Sequence, residues 1–230
     1  MTTALVTGAT RGLGRALALD LARSGMAVDG TATDNDRLVA LASETGDLSL
    51  EAVRSDITLP ADNAAVAERF AETGLDVLIH NAGVLGPRVR LEDYPRATFE
   101  RVMAVNTTGP FDLTARLAPH LNEGATVIFL SSGVGVVGRA EWGAYCVSKW
   151  GVEGLARIWA EELRARAIKV FIVDPGAMRT EMRAAAYPQE DPLTLVTPEE
   201  NLAIFRWLLA EGRLEDSGGR WKAKDFRDAL

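Results

Sequence analysis

Tyr145 and Lys149 stand four residues apart in AYCVSK, and Ser132 precedes the tyrosine by thirteen. On a helix, a four-residue spacing stacks two side chains on one face, which places the Lys149 ammonium beside the Tyr145 phenol. A free phenol, with a pKa of about 10, exchanges protons poorly at neutral pH. A neighbouring cation favours the phenolate and draws that value toward the range in which a general acid or base works. Spacing and residue types thus point to proton transfer by a tuned tyrosine.

Residues with this chemistry need a scaffold, and the chain alternates short apolar runs with amphipathic stretches. ALVT (4 to 7) leads to a helical stretch at 13 to 23, MAVDGTAT (26 to 33) to 35 to 44, and LEAV (50 to 53) to 62 to 72. LDVLIH (75 to 80), a long helical stretch from about 96 to 121, TVIFLS (126 to 131), a helix from about 143 to 166 and KVFIV (169 to 173) follow. Strand and helix in alternation predict parallel pairing through right-handed crossovers, hence a single doubly wound Rossmann-type α/β domain over 1 to 230 with helices on both faces. The nearly continuous apolar character of LDVLIH and TVIFLS suits central strands buried on both faces. Segment 174 to 198 reads as a long loop, of which 177 to 197 is the expected substrate loop, before a last helix in PEENLAIFRWLLAEG. A short final strand is expected at 220 to 223.

The formal charge is −7, with basic residues interspersed among acidic ones, which disfavours a nucleic-acid or anionic-membrane surface. No stretch approaches the roughly 20 apolar residues of a membrane span, and Met1 runs straight into a strand-like segment, so a cytoplasmic location is expected. The single Cys146 cannot form an internal disulfide, and with only His80 and His120 beside it no metal-ligand cluster is expected.

Gly8, Gly12 and Gly14 follow the first strand and open the first helix. Glycines there permit a tight turn and close approach of a pyrophosphate to the helix N-terminal amides. Their TGxxxGxG spacing, with the Ser132, Tyr145 and Lys149 set, resembles the classical short-chain dehydrogenase/reductase family over about residues 2 to 182. The resemblance implies a nicotinamide cofactor contacted by Gly8, Thr10, Arg11, Gly12, Leu13 and Gly14 at the turn. It further implies contacts from Thr33 after the second strand, Asp56 and Ile57 after the third, and Asn81, Ala82 and Gly83 after the fourth. Pro175, Gly176 and Thr180 correspond to the family's PGxxxT on the nicotinamide side, and Tyr145 and Lys149 complete the cofactor set. His80 stands where the family has an asparagine and is expected to be buried and hydrogen-bonded. Asn106 corresponds to the family asparagine whose backbone carbonyl holds a water next to the lysine. Ser132, chosen over Ser131 by the family spacing to the tyrosine, is expected to hydrogen-bond the carbonyl oxygen.

Cofactor preference is set at the end of the second strand, where an acid would bind the ribose hydroxyls and repel a 2′-phosphate. Ala32 occupies that position, Thr33 follows, and Arg11 is placed as in NADP-preferring relatives. NADP is therefore expected, with NAD the alternative because Asp34 lies one step further on. Asp34 has a second reading as the cap of the helix near Asn35. Carbonyl-to-alcohol oxidoreduction with NADP is the expected activity, and a catalytically silent cofactor-sensing or scaffold protein of the same fold is the alternative. The C-terminal SGGRWKAKDF departs from the family's usual ending. Trp150, Ile158, Trp159 and Leu163 form so wide an apolar surface on the tyrosine helix that a homodimer or homotetramer through this helix is expected.

Overall fold

The computed structural model of the protein describes residues 1–227. Leu75–His80 (β4), apolar on nearly every residue, lies at the centre of a seven-stranded sheet in which every pairing is parallel. The order is β3-β2-β1-β4-β5-β6-β7, with β1 at Thr3–Thr7, β2 at Ala27–Ala32 and β3 at Leu50–Arg54. β5 spans Leu121–Leu130, β6 Lys169–Asp174 and β7 Arg220–Lys222. Strand order reverses between β1 and β4, and the crevice at the carboxyl ends of these strands is where open α/β sheets bind ligands.

Alternation along each strand divides the core between two layers. Ala4, Val6, Val77, Ile79, Ile128 and Phe171 face the side covered by α1 (Gly12–Arg23) and α8 (Leu202–Glu211), with Leu17, Phe205 and Leu208 packed on them. Leu5, Leu78, Val127, Phe129, Val170 and Ile172 face the other side, where Leu113 of α5 (Gly109–Leu117) and Val152 and Ala156 of α6 (Gly143–Glu162) cover them. His80 is buried with this second layer, stacked on Phe129, and its Nε2 lies 2.7 Å from the Thr114 hydroxyl. Burial holds its pKa down to about 3, so the ring is neutral and structural.

The structure redraws several boundaries. The helix expected from 96 to 121 is broken: α4 (Arg96–Met103) passes through a π turn at Ala104–Thr108 into α5, and β5 already begins at Leu121. The helix expected to 166 ends at Glu162 and continues as a 3₁₀ turn. The segment read as a loop after β6 contains α7 (Glu181–Ala186), started by the Thr180 side chain accepting from Arg183 N. Asp34 caps α2 (Asn35–Glu44) in the same way through Arg37 N. α3 (Pro60–Glu68) opens on Pro60, whose missing N–H is not needed in a first turn.

On the tyrosine helix the apolar surface is split. Leu163 is buried and Trp159 packs on the second core layer, whereas Trp150 and Ile158 point outward, 52% and 56% exposed. No helix among the described residues is long and apolar enough to cross a membrane.

Candidate active site

The turn after β1 is built around two glycines with no room for a side chain. At Gly8, φ is +69°, and an added Cβ would lie 2.9 Å from the Ala82 backbone. At Gly14 it would lie 2.2 Å from both Asn81 Nδ2 and Gly8 O. Gly14 therefore does not line the cleft as expected; it lets α1 pack against the turn, which Asn81 ties down by donating from Nδ2 to Thr7 O and Gly8 O. α1 begins after Arg11, whose side chain makes no capping bond, so the first amides of the helix face the crevice without a side-chain partner.

Around this turn opens a cleft of about 630 Å³. It brings together Thr10, Arg11, Gly12 and Leu13 with Thr33, Asp56 and Ile57, then Asn81, Ala82 and Gly83, and finally Tyr145, Lys149, Pro175 and Thr180. Asp56 does not cap α3; its Oδ1 accepts from Thr58 N and Oγ1 at the cleft wall. An adjoining pocket of about 290 Å³ is lined by Ser132, Gly133, Gly176 and the apolar and aromatic Leu85, Val134, Trp142, Met178, Met182 and Tyr187. Gly176 thus belongs to the second pocket and not the first. Tyr145 lines both.

Ser131 and Ser132 part as adjacent residues of an extended segment do. Ser131 Oγ donates to the buried Glu153 at 2.6 Å, while the Ser132 hydroxyl faces the pocket and Tyr145. Asn106 sits in the π turn, a local insertion that re-aims the backbone and recurs at functional sites. Its side-chain amide is fully used, accepting from Val84 N at 2.8 Å and donating to Val84 O and Ser148 Oγ. Only its backbone is left for the carbonyl role implied by the family.

Lys149 lies beside the Tyr145 phenol, as its four-residue spacing implies. Its Nζ lies 5.6 Å from the Tyr145 ring centroid and donates to Leu130 O at 2.7 Å. Burial pushes the phenol up to about 12, with the Ser132 hydroxyl pulling the other way and the Asp174 carboxylate adding to the rise. The expected lowering by Lys149 is therefore not what this arrangement produces, because desolvation of the phenolate outweighs a cation held against the ring face. The same burial lowers Lys149 to about 8, against the attraction of Asp174 and Glu153.

At the far end of the cleft lies a cluster that sequence reasoning only half identified. Arg11 and Arg37 both grip the Glu181 carboxylate at the start of α7, at 2.5 and 3.0 Å. The Arg37 and Arg11 bonds together hold that carboxyl below its usual range. The turn's open amides and an arginine pair already clasping an anion fit a dinucleotide carrying an extra phosphate. Arg37 was legible in principle, since Asp34 and Arg37 have the i, i+3 spacing of a helix-start ion pair. Glu181 left no such signal. Among the described residues no group of His, Cys, Asp or Glu is placed to hold a metal ion.

Comparison with known proteins agrees with this architecture. Residues 2–191 match the short chain dehydrogenase family. The chain is 35% identical over 232 residues to the oxidoreductase YciK of Escherichia coli K12, covering 97% of this chain and 92% of that one. It is 33% identical over 196 residues to the NADPH-dependent pterin aldehyde reductase of Arabidopsis thaliana, covering 80% and 78%. A short chain dehydrogenase from Shigella flexneri 2a, crystallised with NADP, superposes with a TM-score of 0.91 at 33% identity over 97% of each chain. The chain belongs to the short-chain dehydrogenase/reductase family and is an NAD(P)-dependent oxidoreductase.

Proposed function

We propose that the protein interconverts a carbonyl and a secondary alcohol with NADP as its cofactor, acting in the cytoplasm. The observation that carries this reading is the place of Tyr145, the residue with transferable proton chemistry at the junction of the long cleft and the apolar pocket. NADPH, when bound, supplies the hydride. Tyr145 gives its phenolic proton to the carbonyl oxygen, and the Ser132 hydroxyl donates a hydrogen bond to the same atom. Lys149 supplies a cation whose lowered pKa, about 8, makes it able to pass a proton near neutrality. Asn106, rigidly held by Val84 and Ser148, fixes the backbone of the π turn next to α6. Arg11 and Arg37 are the groups suited to the 2′-phosphate, with Thr33 beside them. The NADP and NADPH named with related crystal structures, and the NADPH-dependent aldehyde reductases among the relatives, support this choice.

We read the whole chain as one nucleotide-binding domain, with 177 to 197 as its substrate loop and the apolar pocket receiving the body of the substrate. Exposed Trp150 and Ile158, with Val147 and Phe111 also outward, support association of two or four copies through α6. Light scattering after size exclusion reads the mass directly, and a monomer at micromolar concentration removes the association. The activity itself is tested by NADPH oxidation with a panel of aliphatic and aromatic ketones. Turnover that disappears in Tyr145→Phe supports the reading; no turnover with any carbonyl overturns it.

A further inference from the structure

Behind the catalytic end of the cleft, three elements bring charged side chains into a nearly dry cluster. Glu153 of α6 has its side chain 3% exposed, Asp174 at the end of β6 12%, and Arg220 of β7 14%. Arg157, one helical turn beyond Glu153, closes the cluster from the solvent side at 2.9 Å. Two carboxylates at this depth are costly unless matched, and removing one partner of such a set leaves a buried charge uncompensated.

Arg220 makes three directed bonds. Its Nε donates to Glu153 Oε1 at 2.9 Å, and its Nη2 donates to Asp174 Oδ2 at 2.8 Å and to the backbone carbonyl of Ser132 at 2.9 Å. A residue serving only to fasten a three-residue edge strand would need none of these particular ends. The fork closes on the peptide that carries the Ser132 hydroxyl and on the carboxylate lying behind Tyr145. It comes from the C-terminal segment in which the chain departs from the usual family ending.

We propose that Arg220 is a positioning residue for the carbonyl chemistry, holding the Ser132 peptide in register and cancelling the Asp174 carboxylate behind Tyr145; the inference rests on the function proposed above. The groups around Tyr145 set the sign. Lys149 lies over its ring from the next turn of α6, with Glu153 acting on Lys149; Ser132 faces it from beyond β5, Asp174 from the end of β6, and Arg139 and Arg183 line the apolar pocket. An uncancelled Asp174 carboxylate favours the protonated forms of both Tyr145 and Lys149, so losing Arg220 moves either titration to higher pH.

The test uses the full chain with NADPH and a ketone that the wild type reduces, beginning with 4-nitroacetophenone. Arg220→Met is expected to bind NADPH by fluorescence titration and to lose about 10-fold to 10²-fold in kcat, the scale of a small misplacement in a catalytic geometry. Its alkaline loss of activity should move to higher pH. Adding Asp174→Asn to Arg220→Met should return that midpoint toward the wild type. Arg220→Lys keeps the charge but loses the fork, so it should keep the wild-type midpoint with reduced kcat. Should Arg220→Met fail to fold, Arg220→Gln removes the same charge and keeps a hydrogen-bonding amide, and it should show the same shift to higher pH against an unshifted Arg220→Lys. An active wild type whose variants keep its midpoint throughout, or whose kcat falls only in step with thermal stability, overturns the positioning role and leaves the proposed function standing. A wild type silent toward every carbonyl overturns both.

Discussion

The two ends of the cleft hold their charges in opposite ways. At the nucleotide end, Arg11 and Glu181 are 54% and 58% exposed and pair across the mouth with Arg37. At the catalytic end, Lys149, Glu153 and Asn106 are buried, and the partners Leu130 O and Ser148 are held by the packing of α6 against the sheet. An exposed ion pair is worth between nothing and about 1 kcal/mol, because water competes for both members. Its members are therefore free to exchange partners, which suits a site that must release one anion and accept another. Buried charges have no such alternative, so the geometry around Tyr145 is rigid. On the function proposed above, cofactor selectivity falls at the exchangeable end and proton transfer at the fixed one.

The comparison breaks most sharply at the fixed end. Tyr145→Phe is expected to lower turnover by roughly 10²-fold to 10⁴-fold, the usual worth of a positioned general acid, while NADPH binding survives. Steady-state kinetics beside a fluorescence titration measure both, and turnover within a few-fold of the wild type would falsify the assignment.

Lys149→Met should show that rigidity at this end is bought with stability. A lysine whose folded-state pKa is about 8, against 10.5 ordinarily, binds its proton more weakly in the folded than in the unfolded chain. The penalty is complete below pH 8, corresponds to about 3 kcal/mol at roughly 1.4 kcal/mol per pH unit, and fades as pH rises from 8 to 10.5. The variant loses the ammonium's bond to Leu130 O, worth about 1.5–3 kcal/mol for a charged donor, so a net gain of at most about 2 kcal/mol is expected at neutral pH. Chemical denaturation should show this advantage shrinking through the same pH window, together with a large loss of activity. A variant less stable at neutral pH, or one whose advantage does not change with pH, would mean that the ammonium is better solvated than its burial implies.

How much of this was legible follows the same division between local and distant. α2 from 35 to 44 and β4 from 75 to 80 appear where their periodicity and caps place them, since both signals are carried by neighbouring residues. The break between α4 and α5 was hidden because a π turn keeps helical periodicity on either side of Asn106. β5 began early because Leu121 to Gly124 carries polar residues, which conceal a strand start. α7 is six residues long, too short for a periodic signal. Tyr145 and Lys149 share a helix and were legible; their electrostatics were not, because desolvation depends on what packs over the helix. The charge pairs that distinguish the two ends lie furthest beyond sequence reading. Arg220 meets Glu153 across 67 positions and Arg11 meets Glu181 across 170, and only the sheet order brings them together.

At the exchangeable end the effects should be smaller and confined to the cofactor. Arg11→Ala and Arg37→Ala are each expected to reduce kcat/KM for NADPH by about 10-fold, within the range of a charge-assisted hydrogen bond, and to leave NADH nearly unchanged. The difference should diminish with added salt, because both arginines are solvent-exposed. An equal loss for both cofactors would place the 2′-phosphate elsewhere and leave the arginines as surface pairs.

Glu181→Gln gives the smallest and most discriminating effect. In the structure the carboxylate holds the two guanidiniums that a 2′-phosphate would need, so the phosphate has to displace it. A phosphate monoester carries between one and two negative charges and more acceptor oxygens than a carboxylate, so it should win the exchange. The competition nonetheless weakens binding by whatever the carboxylate was contributing, which at this exposure is small. Replacing it by a neutral amide should therefore tighten NADPH about two-fold to five-fold, within the range of an exposed ion pair, and leave NADH unchanged. Because Glu181 opens α7, releasing it also frees one end of segment 177 to 197, the substrate loop proposed above, so KM for the carbonyl should respond to whether NADPH or NADH is bound in the wild type but not in the variant. Titration of both cofactors at low salt measures the first effect. Should Glu181→Gln weaken NADPH instead, the carboxylate orients the arginines for the phosphate, and the nucleotide end is as fixed as the catalytic one.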